Sequence, residues 1–182
     1  MKRLYIIILM LIGLSSINAQ TILRGKTLES KQSGLTVKLI IDNNNNATFL
    51  MTADLGRGNT AKAILKGKDY STSQFFYQEL DLNSVELQEI SSSGFVLTKD
   101  YAIINGKKTD KATINKQRGN GAWEKNMLPI LKQMEGELKR LMNSGMLNAF
   151  KNQISYIDEK EIHVTSKITS NGYSISKWTF VK

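Results

Sequence analysis

No cysteine occurs anywhere in the 182 residues, so neither disulfides nor thiolate chemistry are available to this chain. Histidine is nearly as scarce, with His163 standing alone. Zinc sites usually combine several His and Cys ligands, so a metal centre is not expected. A nucleophilic triad would need His163 beside an activated serine, and no G-x-S-x-G elbow supplies one. Aromatics make up only 8% of the chain, and they do not interleave with the lysines of the strand-like segments, which disfavours nucleic acid as a partner. The apolar run Leu4–Leu14 falls short of the ~20 residues of a membrane span. These absences point to a non-enzymatic protein without cofactor or metal.

What is present begins with an address. Lys2 and Arg3, the apolar run, and the short exit Ser15–Ala19 have the form of a cleaved export leader. Residues 1–19 are therefore expected to be removed. Residues 20–182 are expected to form one β-rich domain in the periplasm or outside the cell, with no membrane span after cleavage.

Charge is unevenly placed along this chain. Residues 21–68 carry eight basic and three acidic side chains, 69–98 five acidic and none basic, and 99–125 seven basic and three acidic. Such segregation can steer an acidic partner, although a solvated basic surface that keeps an exported protein soluble is the favoured explanation.

Leu35–Ile41 and Ala47–Ala53 are β-rich runs around Asp42 and four asparagines, which predicts a hairpin with a polar tip. Gly56-Arg57-Gly58-Asn59-Thr60-Ala61 matches a dinucleotide fingerprint by letter, but without a βαβ context it reads as a glycine turn. Thr21–Leu28, Ser73–Leu82, Val85–Ile90 and Phe95–Ile104 read as further strands, with Asn83-Ser84 as a separator. Asn105-Gly106 suits a tight turn from which Ala112–Lys116 returns.

The strongest helical signal spans 126–143. Met127, Ile130, Leu131, Met134, Leu138, Leu141 and Met142 share one stripe at 100° per residue. Asn126 is the expected N-cap, which puts Pro129 in the first turn, and Asn143-Ser144-Gly145 is the stop. A kinked continuation is expected to run to 151. A closing hairpin over 160–181 turns at Asn171-Gly172, a strong type I′ signal. That turn makes Ile168 oppose Ile175 and puts His163 over Phe180, beside Trp178. Asp158, Glu159 and Glu161 precede the hairpin, where a charged turn accounts for them.

The pattern as a whole predicts an α+β chain, β-rich. A curved antiparallel meander of roughly eight to ten strands, a lipocalin-like barrel or a half-barrel, grips one long helix. The function expected first is binding of an apolar small molecule between sheet and helix, through Met134, Leu138, Met142 and Met146. The alternative is a protein-binding module, inhibitor- or immunity-like, acting through the basic surface or a patch of His163, Trp178 and Phe180.

Overall fold

The structure, a computed structural model, describes residues 21–32, 34–141, 150–167 and 173–181. In chain order the strands are β1 (Thr27–Gln32), β2 (Leu35–Ile41), β3 (Asn46–Gly56), β4 (Asn59–Asp69), β5 (Phe75–Ser92), β6 (Phe95–Thr98), β7 (Tyr101–Ile104) and β8 (Lys107–Asp110). Three helices follow, α1 (Lys111–Arg118), α2 (Ala122–Asn126) and α3 (Leu128–Leu141), and then β9 (Phe150–Ile157), β10 (Glu161–Lys167) and β11 (Tyr173–Val181). All eleven strands join one antiparallel sheet in the order β4-β3-β2-β1-β11-β10-β9-β5-β6-β7-β8. Because β4 also pairs with β5, eight strands close into a ring, and β6–β8 extend from β5 outside it. The chain is thus β-rich α+β, with a ring that is not a clean barrel.

The hairpins form where turn chemistry demands them. The Asp42 carboxylate accepts from the amides of Asn44 and Asn46 at 2.7 and 2.8 Å, while Asn45 takes φ +62°, so the asparagine run is a self-capped tip. Gly56, Arg57 and Gly58 all have positive φ, which confirms the glycine turn between β3 and β4.

Asn83-Ser84, expected to separate two strands, instead forms a bulge within the single strand β5. Ile64 pairs with Glu86 and Lys66 with Asp81, so residues 82–85 oppose Leu65 alone. Ser84 Oγ repairs the ladder, accepting from the Lys66 amide at 2.7 Å and donating to the Asp81 carbonyl at 2.6 Å.

The charge segregation is used along this same seam. Register places Lys62 opposite Glu89, Lys66 opposite Asp81 and Lys68 opposite Glu79, with Lys62 and Glu89 in contact at 2.8 Å. Opposite charges directly across an antiparallel pair favour that pairing. The acidic block therefore faces the basic one within the fold.

Side chains fill the ring. One buried cluster includes Leu28, Leu39, Phe49, Leu65, Phe76, Val85, Ile154, Ile162 and Val164, with Trp178 and Phe180 packed on it, so every ring strand contributes. Eight-stranded rings have an interior just wide enough for such filling. A second cluster lies against the helices and joins Ala63, Leu87, Leu97, Ala102, Ile114, Trp123 and Leu131. Met51 and Leu138 touch both clusters, so the helices pack onto a continuation of the ring's inner face.

The helical region departs from the sequence reading at its start. Residues 112–116 lie in α1, not in a returning strand. Asp110 caps α1, its side chain accepting from the Thr113 amide at 2.7 Å, and β8 before it makes the return. Asn126 is not an N-cap; it ends α2, and its Nδ2 donates to the Ala122 carbonyl at 2.8 Å. The proline explains the bend. Without an N–H, Pro129 cannot bond the Lys125 carbonyl, so the helix that starts at Ala122 breaks at Met127 and resumes as α3.

The closing hairpin has a different register from the expected one. Thr165 opposes Ile175, His163 opposes Lys177 and Ile162 opposes Trp178. The connection, 168–172, lies outside the described residues, as do the leader, the stop at 143–145 and residues 146–149 of the expected kinked continuation. That continuation does not reach 151 as a helix, because Phe150 and Lys151 pair with Gln78 and Tyr77 as the start of β9. A three-residue shift inverts which β11 side chains face the core. The observed register turns Trp178 and Phe180 inward and leaves Ile175 66% exposed. Two large aromatic surfaces are buried where the alternative would have buried isoleucine and valine, which is the larger apolar gain.

Candidate functional site

The helix stripe is anchored by Leu131, 3% exposed, while Ile130 is turned out to solvent at 44%. Met134 and Leu138 are half-buried and packed on the second cluster, and Leu138 also reaches the ring core. Their neighbours are therefore core side chains. Met142 and Met146 lie outside the described residues. A side chain missed from the sequence is Glu135, whose Oε2 accepts from the Leu87 amide at 3.1 Å. On its side away from β4, β5 pairs with β9 through Phe75–Gln78 and with β6 through Glu89–Ser92, so α3 covers the interval between them. Glu135 satisfies a backbone donor there, at the edge of an otherwise apolar stripe.

A depression of about 420 Å³ opens near the β1–β2 and β3–β4 tips. Lys31, Leu35, Thr36, Thr52, Asp54 and Thr60 wall it, a mixed lining in which charged and hydroxyl side chains stand beside one leucine.

The patch of His163, Trp178 and Phe180 does not assemble. Ile162 and Val164 point into the core at 0% and 1% exposure, so His163 between them points outward, away from Trp178. Trp178 instead packs on Phe76 with ring centroids 5.1 Å apart.

What His163 joins is a constellation on the outer face of β9–β11. Its ring lies 5.0 Å from that of Tyr156, and its Nε2 is 2.8 Å from Glu161 Oε1. Glu161 also holds the Lys177 ammonium from β11. The Lys177 contact, and then that of His163, keep the Glu161 carboxyl below the ordinary glutamate range. Tyr156 donates to Asp158 Oδ2 at 2.7 Å, which lowers the Asp158 carboxyl and raises the Tyr156 hydroxyl. Asp158 Oδ1 meanwhile caps the turn, accepting from the amides of Lys160 and Glu161. The expected charged turn is thus real, and its Asp158 and Glu161 carboxylates are occupied by local partners.

This face is also apolar in part. Ile175, Thr165, Gln153 and Phe75 form one register row across β11, β10, β9 and β5. Tyr156 and Ile175 are exposed at 47% and 66%. Ser155 Oγ, the hydroxyl near His163 in the fold, donates to that residue's backbone carbonyl and not to the ring. Among the described residues no group of three or more His, Cys, Asp or Glu converges to hold a metal ion, and no helix is long and apolar enough to cross a membrane.

No protein-family model, curated protein or solved structure matches the chain.

Proposed function

We propose that this chain is an exported, non-enzymatic binding protein that engages a protein partner through the outer face of β9–β11. The observation that carries the reading is the combination on that face. Ile175 and Tyr156 expose apolar surface, and the Tyr156–His163–Glu161–Lys177 network fixes polar groups beside them. Interfaces are built from such aromatic and aliphatic anchors with a polar surround. Export is supported by the leader-like residues 1–19. The apolar-ligand reading asks for space beside Met134 and Leu138, where the described residues place core contacts instead.

The test is a photoreactive amino acid placed at position 175 in the producing host, with position 38, on the outer face of β2, as control. The expected result is one dominant foreign chain crosslinked at 175 and absent at 38, lost when Lys177→Glu is added. Equal crosslinking at both positions, none at either, or only a second copy of this chain at 175 would overturn the reading.

A further inference from the structure

One end of the ring encloses an acid. Asp69, the last residue of β4, is 0% exposed, and Ser71 and Gln78 are each 1% exposed. Asp69 Oδ1 accepts from Ser71 Oγ at 2.6 Å and from Gln78 Nε2 at 2.8 Å. The same Nε2 lies 3.0 Å from Ser71 Oγ, which accepts in turn from the Tyr77 amide at 3.1 Å. These contacts use one carboxylate oxygen and the amide nitrogen. Asp69 Oδ2 and Gln78 Oε1 are buried without a hydrogen-bond partner among the described residues, and no Lys, Arg or His there pairs with Asp69.

Two more oxygens at this end share that condition. Asn45, whose carbonyl accepts from the Asp69 amide at 2.9 Å, has its Oδ1 buried and unpartnered. Thr21 Oγ1 is likewise unpartnered, one residue before Ile22, whose amide donates to the Ser71 carbonyl at 3.4 Å. Burying a carboxylate without counter-charge is costly. A proton on Oδ2 would answer one of these acceptors. A hard cation answers several together, because carboxylate, amide and hydroxyl oxygens are the donor set such ions take.

We propose that a hard cation, of the calcium or sodium class, binds at this end of the ring through Asp69 Oδ2 and Gln78 Oε1, with Asn45 and Thr21 as neighbouring donors. A single carboxylate suffices, which is why the site does not show as a cluster of acids. It brings the β4–β5 hairpin, the β2–β3 tip and the segment before β1 to one ion, so binding stabilises the folded chain.

The experiment measures thermal unfolding after EDTA treatment, in choline chloride, with calcium or sodium chloride replacing it at equal ionic strength. At about 100 times the dissociation constant a specific ion raises the midpoint by ~5–10 °C. A saturable rise with calcium alone assigns a divalent site, and one with sodium also assigns a monovalent one. Asp69→Asn and Gln78→Met should each remove the response. Thr21→Val should weaken it, which keeps the test open if the first two do not fold. Equal midpoints in all three salts, or full responses in the variants that fold, would overturn the proposal in favour of a protonated or water-bridged Asp69.

Discussion

At Gly67, near the end of β4, a Cβ would lie 2.2 Å from the carbonyl oxygen of Glu79 across the ring-closing seam. Neither backbone can yield without disturbing the bulge beside it, so Gly67→Ala should destabilise by about 1–3 kcal/mol or more, as overpacking does. Gly136 sits exposed on α3 with nothing within 4 Å of its Cβ position. There Gly136→Ala should stabilise by up to about 1 kcal/mol, through helix propensity alone. Denaturant melts of the two variants give opposite signs if the seam is as close as described; a neutral Gly67→Ala would refute it. Residues of this kind differ in how far sequence reveals them. The turn glycines at 56 and 58 announce themselves through neighbouring polar residues. Gly67 does not, because its reason is the close approach of β5, beside a bulge that sets residues 82–85 against Leu65 alone. Glu135 was hidden for a similar reason, since its partner is a backbone amide of β5.

α1 and α2 are held together by a small polar joint. Lys111 reaches Glu124 Oε1 at 2.6 Å, Asn115 Nδ2 donates to Oε2 at 3.1 Å, and Asn115 Oδ1 accepts from the Trp123 amide at 2.7 Å. Led by the Lys111 contact, these interactions lower the Glu124 carboxyl from 4.5 to about 2. A depressed carboxylate stabilises the fold above its unfolded value and loses that contribution as pH falls through the folded one. The joint should therefore weaken between pH 4.5 and about 2. Trp123 fluorescence in a Trp178→Phe background reads it, and Glu124→Gln should remove that part of the acid transition; an unchanged transition would place it elsewhere. At this scale α3 was legible because its stripe repeats with helical period over fourteen residues. α1 is short and mostly polar, so its Asp110 cap was the available signal and the apparent strand pattern obscured it. The closing hairpin had legible strands and an inward Ile162 and Val164. Its register was misread because a short Asn-Gly turn signal yielded to the burial of Trp178 and Phe180.

For the whole molecule, β-richness, the antiparallel meander and the gripped helix were readable from alternation and periodicity. Closure was not, since it joins strands whose meeting no local pattern encodes. Of the charge blocks, the basic residues of β4 and the acidic ones of β5 are matched across the seam between these strands. Ring closure also has a consequence in time. Thr27 pairs with Val181 and Glu29 with Thr179, so the β1–β11 contact spans nearly the whole described chain. Contacts so distant in sequence form late, because the loop entropy is lost before they return any stabilisation. Refolding should therefore be slow for a chain of this size, in the millisecond-to-second range of non-local β topologies. In a Trp123→Phe variant, the burial of Trp178 should follow the bulk of β-structure seen by circular dichroism. Simultaneous signals would show that the ends meet early. Until they meet, β1 and β11 both carry unpaired edges, and the half-made protein is most exposed to pairing with another chain.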